Sequence, residues 1–163
     1  VSGAQDAIGI CMSGLTRHYY DGHYWPSRIE SVHDESVLSW LESHICLVPM
    51  FPRRPGCSVV DGKDITEKKV QALADAADRC WHAILDKDLD AFTKAFADSF
   101  NAQVAMFPAM MQPGVAEHIE RWSHTARAWK MLGAGGGGHL WLVVDELPKD
   151  PEVIEVKIRR KGM

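Results

Sequence analysis

The sequence has no excess of basic residues, no long apolar run and no closely spaced pair of cysteines. Its 163 residues carry a formal net charge of −4, which argues against a broad basic surface for nucleic acid. No apolar run is long enough to span a bilayer, and the first residues lack the basic and apolar segments of a secretory signal. These absences predict a cytoplasmic protein that binds neither nucleic acid nor a membrane.

The four cysteines are few and far apart. They are Cys11, Cys46, Cys57 and Cys80. Without an export signal, we expect reduced thiols rather than a disulfide framework. Cys46 lies in an apolar run and Cys80 in a helical pattern, so both are predicted to be small core residues. No spacing among the cysteines and the eight histidines indicates a zinc site, and we assign no metal ligand.

The composition of the chain is typical of one soluble domain. Apolar residues make up 46% and charged residues 25%, and this length can bury a sizeable core. The chain opens with Val1-Ser2-Gly3-Ala4-Gln5-Asp6 and no initiator methionine. We therefore expect the sequence to begin inside a larger protein.

Hydrophobic periodicity and turn residues predict alternating helices and strands. The predicted helices cover residues 5–11, 34–44, 66–84, 88–103 and 115–126. The predicted strands cover residues 15–20, 24–31, 45–51, 139–145 and 152–159. Asp21-Gly22 lies between the first two strands and predicts a hairpin turn. Helices and strands in this order favour an α+β fold, a two-layer sandwich of mostly antiparallel sheet and helices, over a doubly wound parallel sheet.

A glycine run at residues 133–138 is the most distinctive local feature. Gly133-Ala134-Gly135-Gly136-Gly137-Gly138 matches G-x-G-x-x-G, but a dinucleotide fingerprint needs a strand before the glycines and a helix after them. Here a helical segment is predicted before the run and a strand after it, which disfavours a nucleotide-binding oxidoreductase. His139-Leu140 follows in place of the Lys-Ser/Thr pair of a Walker loop.

The remaining interpretations of the run are a loop with a role and a plain turn. Consecutive glycine amides can converge on an anion or let another backbone pack closely. Five glycines in six residues also raise the entropy lost on folding, which is a high cost for a simple helix-to-strand turn. The pattern therefore favours phosphate or substrate binding, or close packing, at Gly133–Gly138.

The segment from Lys130 to Gly138 resembles the third motif of the GHMP kinases. In this superfamily of galactokinase, homoserine, mevalonate and phosphomevalonate kinases, the glycine-rich loop helps to shape the active site beside the phosphates and substrate. A second segment, Gly3-Ala4-Gln5-Asp6 followed by Ala7-Ile8-Gly9 and the hairpin, is similar to the segment that carries the catalytic aspartate in the sugar-kinase branch. The resemblance spans nearly the whole chain and is closest to heptose- and fucose-kinase-like members.

The resemblance implies a division of the chain and an activity. Residues 1–33 would be a remnant of the N-terminal domain, and residues 34–163 a GHMP-kinase C-terminal domain. The implied function is ATP-dependent transfer of the γ-phosphoryl group to a sugar hydroxyl, with ATP and Mg²⁺ as cofactors. In that role Asp6 would accept or orient the hydroxyl proton.

The departures from the family pattern limit what the chain does alone. The family's first motif and its P-x-x-x-G-L-G-S-S-A phosphate loop have no counterpart here, nor have the Ser/Thr and Glu that position Mg²⁺. We therefore expect the C-terminal part of a sugar kinase, inactive by itself. The alternative is a non-catalytic, truncated sugar or sugar-phosphate binding domain that pairs with a separate N-terminal polypeptide.

Three further residues are candidates for the sugar and phosphate site. Lys130 precedes the glycine run and could add a positive charge, although a lysine in the last turn of a surface helix is the commoner situation. Ser58 and Asp61 lie in a turn-rich loop that could line a sugar pocket, while Asp61-Gly62 is also typical of a plain turn.

Overall fold

The computed structural model describes residues 4–53, 56 and 58–162 of the chain. Its helices are α1 (Ala4–Cys11), α2 (Glu35–His44), α3 (Glu67–Asp86), α4 (Leu89–Met106) and α5 (Val115–Trp122), with a 3₁₀ turn at Pro108–Met110. Its strands are β1 (Leu15–Tyr19), β2 (Arg28–Val32), β3 (Ile45–Pro49), β4 (Ala128–Met131), β5 (His139–Val143) and β6 (Ile154–Glu155). Among the helices that the structure describes, none has the length and apolar character needed to cross a membrane.

Side-chain caps determine where three of the helices begin. Asp34 accepts a hydrogen bond from the Val37 amide at 3.0 Å, and Asp88 accepts one from the Ala91 amide at 3.0 Å. Thr66 does the same for α3. Each cap satisfies one of the amide donors that a helix start leaves without an intrahelical partner.

The main sheet is antiparallel, with the strand order β4-β5-β3-β6. Strand β5 pairs with β3 and with β4, so that Trp141 lies opposite Leu47 on one side and opposite Lys130 on the other. Side chains alternate between the two faces of a strand. Lys130 and Trp141 therefore lie on the same face of the sheet as Ala128 and Val143.

Both faces of this sheet are buried. On one face, Cys46, Leu140 and Leu142 pack in a cluster with Val115 and Trp122 of α5. On the other face, the side chains of β3, β4 and β5 pack in a second cluster against α2, α3 and α4. Its buried members are Val37, Leu41, Ile45, Ala83, Ile84, Phe92, Phe96, Ala128 and Val143. The predicted α+β class, with antiparallel strands and packed helices, is confirmed.

The N-terminal segment forms a small separate layer. Strands β1 and β2 pair only with each other within the described residues, in a two-stranded antiparallel sheet. Leu15 and Val32 pack against the second cluster, and the Arg17 guanidinium pairs with Asp78 of α3 at 2.5 Å. The segment thus covers the same side of the domain as Lys130 and Trp141.

The main correction to the sequence prediction concerns the residues before the glycines. The predicted helical segment before the glycine run is not helical: Trp129 and Lys130 lie in strand β4. Predicted helix 115–126 ends at Trp122 instead. Buried Ala128 and Met131 flank two half-buried residues, and pairing with β5 in a short antiparallel ladder outweighs helical propensity there.

Two other predicted strands are shorter than expected. The second hairpin strand starts at Arg28, because Asp21-Gly22 does not close a tight turn and Pro26 cannot donate to a ladder. Tyr24 and Trp25 consequently lie in the connecting loop and are 52% and 61% exposed. The predicted strand 152–159 pairs with β3 only at Ile154–Glu155.

Candidate functional site

Two adjoining hollows lie between the N-terminal segment and the main sheet, and we call them together the cleft. The larger hollow has a volume of about 590 Å³ and is lined by residues that include Gln5 and Gly9 of α1, Arg17 of β1 and Lys130 of β4. The smaller, of about 370 Å³, shares Gln5, Phe96, Lys130 and Trp141 with it and extends to Gly133. Volumes of this size are typical of sites for small organic ligands.

Lys130 is the charged group at the centre of the cleft. It is half-buried, and its Nζ donates a hydrogen bond to Ser99 Oγ at 2.6 Å. Burial lowers the pKa of Lys130, although the neighbouring Cys80 acts in the opposite direction. No carboxylate among the described side chains lies within ion-pair distance of Nζ. A half-buried ammonium that donates to a neutral hydroxyl favours an anionic ligand group, because such a group would supply a counter-charge.

The glycine run forms the connection between β4 and β5, and much of its backbone is already hydrogen bonded. The amides of Gly135, Gly136 and Gly138 donate to the carbonyls of Leu132, Met110 and Phe51, at distances from 2.8 to 3.2 Å. Met50 N in turn donates to Gly138 O at 2.8 Å. These three amides of the run are therefore not free to hold a phosphate in this conformation.

Glycine is needed in the run because another backbone approaches it. Gly137 is buried and has a φ of +143°; a Cβ there would lie 2.7 Å from Phe51 O and 2.9 Å from Arg53 N. A Cβ at Gly135 would lie 2.7 Å from Met110 Cε. Gly133 and Ala134 are exposed instead, and Gly133 borders the smaller hollow. Of the two roles expected for the run, close packing explains its second half, whereas Gly133 lines the smaller hollow.

The other predicted site residues are only partly brought together. The backbone of Asp6 belongs to α1, whose neighbouring residue Gln5 lines both hollows, but the Asp6 side chain lies outside what the structure describes. Ser58 is half-buried and Asp61 exposed in a turn where Asp61 N donates to Ser58 O at 3.4 Å. Val59 between them packs against the cluster on the opposite face of the sheet from Lys130. Ser58 and Asp61 therefore do not line the cleft, and their predicted role stays a prediction.

The described residues fit an anionic group better than they fit a metal ion. They contain no group of three His, Cys, Asp or Glu side chains that could hold a metal. We therefore assign no Mg²⁺ ligand to this part of the chain. Lys130, which lines the smaller hollow together with Gly133, fits a phosphate or carboxylate group.

Sequence reasoning did not identify Ser99 and Trp141 as cleft residues. Ser99 is 6% exposed and lies in the apolar stripe of α4 between Phe96 and Phe100. A hydroxyl in such a stripe needs a buried hydrogen-bond partner, and this requirement could have marked Ser99 as a candidate site residue. Trp141, whose ring stacks on Phe96 with centroids 6.4 Å apart, gave no comparable signal because Leu140 and Leu142 on either side of it are apolar.

No family model matches the sequence, and neither does any curated protein. Solved structures do match the fold. A candidate sugar kinase from Campylobacter jejuni superposes with a TM-score of 0.54 at 17% identity, over 97% of this chain and 50% of that one. Two structures of MDDEF, one in complex with MVAPP and one in the apo form, superpose with TM-scores of 0.52 at 11% identity. They cover 80% and 87% of this chain, and 46% and 50% of those chains.

The chain therefore shares its fold with these solved structures. At such identities these likenesses show the fold alone. The chain spans about half the length of the solved structures that it matches.

Proposed function

We propose that the chain is the C-terminal part of an ATP-dependent sugar kinase, which transfers the γ-phosphoryl group of ATP to a sugar hydroxyl. The observation that carries this proposal is the fold likeness to a candidate sugar kinase over 97% of the chain. The cleft supports it, because it joins the helix that contains Asp6, the buried cation Lys130 and the start of the glycine run.

In the proposed reaction, the sugar hydroxyl oxygen attacks the γ-phosphorus of ATP. The bond between that phosphorus and the oxygen bridging to the β-phosphate breaks, and ADP leaves. The hydroxyl proton passes to the Asp6 carboxylate. Such transfers depend mainly on positioning and electrostatic stabilisation, with Mg²⁺ neutralising phosphate charge when it is bound.

The cation and the loop have separate proposed roles. Lys130 holds an anionic oxygen of the substrate or phosphate in the cleft, and Ser99 fixes its ammonium. Gly133 and Ala134 approach the ligand with their backbone. The rest of the run, from Gly135 to Gly138, shapes the loop by packing against residues 51–53 and the 3₁₀ turn.

The experiment that tests this function is a substitution of Asp6 in the intact protein that contains this chain. Asp6→Ala should abolish ADP release with a panel of sugars, while ATP binding measured by calorimetry stays nearly unchanged. Asp21→Ala, which removes an exposed carboxylate from the hairpin loop, is the matched control and should retain activity. Turnover by Asp6→Ala at the wild-type rate would remove Asp6 from the mechanism.

The intact protein also separates the kinase from its alternative. Sugar or sugar-phosphate binding without any ADP release would favour a non-catalytic binding domain. Native mass spectrometry would then show whether a separate N-terminal polypeptide accompanies this chain.

A further inference from the structure

Residues 156–160, here called the strap, connect the two sides of the cleft. Val156 and Ile158 line the larger hollow and pack against the second cluster. The amide of Gly14, just after α1, donates to Arg159 O at 2.8 Å. The strap thus lies against the N-terminal segment, although about 145 residues of sequence separate the two.

The side chain of Arg159 holds the C-terminal end of α1. Its guanidinium donates to Met12 O at 3.1 Å and to Gly9 O at 3.5 Å, and it also donates to Ile10 O. The last carbonyls of a helix have no intrahelical donors and carry the negative end of the helix dipole. All three contacts are made by one guanidinium nitrogen, Nη2, which brings a positive charge to this end of the helix.

The strap is itself anchored on α2. The Ile158 amide donates to Glu42 Oε1 at 2.6 Å. The Arg160 guanidinium donates to Glu35 Oε1 at 2.6 Å and to Glu42 Oε2 at 3.2 Å. Helix α2 packs in the second cluster through Val37 and Leu41. The strap therefore links α1 to this part of the core.

We propose that Arg159 is a positioning residue, which sets the place of α1 and with it the place of Asp6 relative to Lys130. Helix α1 has only eight residues, so its stability and position depend on tertiary contacts rather than on helix propensity. Gln5 and Gly9 of α1 line the cleft, so a shift of α1 changes the cleft directly. This inference rests on the proposed function for the role of Asp6, but the contact between Arg159 and α1 does not.

Amide hydrogen exchange of the 163-residue chain tests the contact without any assumption about activity. In Arg159→Ala, exchange in residues 5–12 should accelerate about fivefold, whereas exchange in α3 should not change. Arg159→Lys should restore only part of the protection. Lys161→Ala, which removes an exposed charge from the same end of the chain, is the matched control and should leave α1 unchanged. Equal exchange of α1 in wild type and Arg159→Ala would overturn the proposal.

Kinetics of the intact protein test the positioning role. Arg159→Ala should lower kcat about tenfold or more, because a small misplacement of a catalytic group has a large effect on rate. The KM for ATP should change little, and Arg159→Lys should recover part of kcat. An unchanged kcat together with a loosened α1 would refute the positioning role. A wild-type protein that shows no phosphoryl transfer would reject the proposed function instead, while exchange would still decide whether Arg159 fastens α1.

Discussion

Substitution of Gly137 by alanine should destabilise the domain far more than the same change at Gly133. Both glycines belong to the run between β4 and β5, and both have positive φ values, +143° and +56°. They differ in their surroundings. A Cβ at Gly137 would lie 2.7 Å from Phe51 O and 2.9 Å from Arg53 N, whereas a Cβ at Gly133 would meet nothing within 4 Å.

The expected magnitudes follow from these distances. At Gly133 the only penalty is the left-handed backbone, which costs a non-glycine residue about 1–2 kcal/mol. At Gly137 the backbone penalty of about 1–3 kcal/mol adds to an overpacking penalty of about 1–3 kcal/mol. Phe51 O cannot move away freely, because it accepts the Gly138 amide at 2.8 Å. We therefore expect Gly137→Ala to lower the free energy of unfolding by about 2–6 kcal/mol.

Urea unfolding followed by tryptophan fluorescence measures both variants, since the chain has six tryptophans. The comparison uses the difference between Gly137→Ala and Gly133→Ala, which removes errors shared by the two extrapolations. A difference below about 0.5 kcal/mol, the scatter found for independent sites, would refute the argument that close backbone approach explains the run.

Two pH dependences follow from the charged groups. The hydrogen bonds from Arg160 lower the pKa of Glu35 to about 2, and those bonds also keep the pKa of Glu42 below its ordinary value although burial alone would raise it. Glu35 therefore adds stability above pH 4.5 that is lost as the pH falls towards 2, and Glu42 acts in the same direction. Thermal unfolding of Arg160→Met should show a smaller loss of stability as the pH falls. Burial lowers the pKa of Lys130 below its ordinary 10.5, so stability should rise as the pH increases through the folded value towards 10.5. Lys130→Met should abolish that rise, and an equal rise in both proteins would contradict the burial of this ammonium.

Local signals in the sequence predicted the helices well and the short strands less well. Asp34 and Asp88 were expected as helix starts, and both cap their helices through the hydrogen bonds described above. Strand β4 was missed because four residues are too few for alternation to stand out against a helical pattern. Its ladder is made with β5, on the other side of the glycine connection, so the residues of β4 alone do not mark it as a strand.

The candidate site was predicted in its parts but not in its arrangement. Lys130 and the glycine run were assigned to the site through their resemblance to a GHMP-kinase motif, and Gly133 does line the smaller hollow together with Lys130. The expectation that Lys130 occupies a surface helix was wrong, because pairing with Trp141 places it on a buried face. Ser58 and Asp61 were grouped with the site through their turn-forming sequence, which carries no information about the face of the sheet on which a loop packs.

By itself the sequence determined the features that depend on neighbouring residues. The caps of α2 and α4 arise from hydrogen bonds between residues three positions apart, and the apolar character of β5 is visible in its own residues. The tertiary structure alone decided that Ser99 would meet Lys130 and that Arg159 would hold the end of α1. Those contacts join residues from 31 to 150 positions apart, and they form because burial of apolar surface in the two clusters brings the elements together.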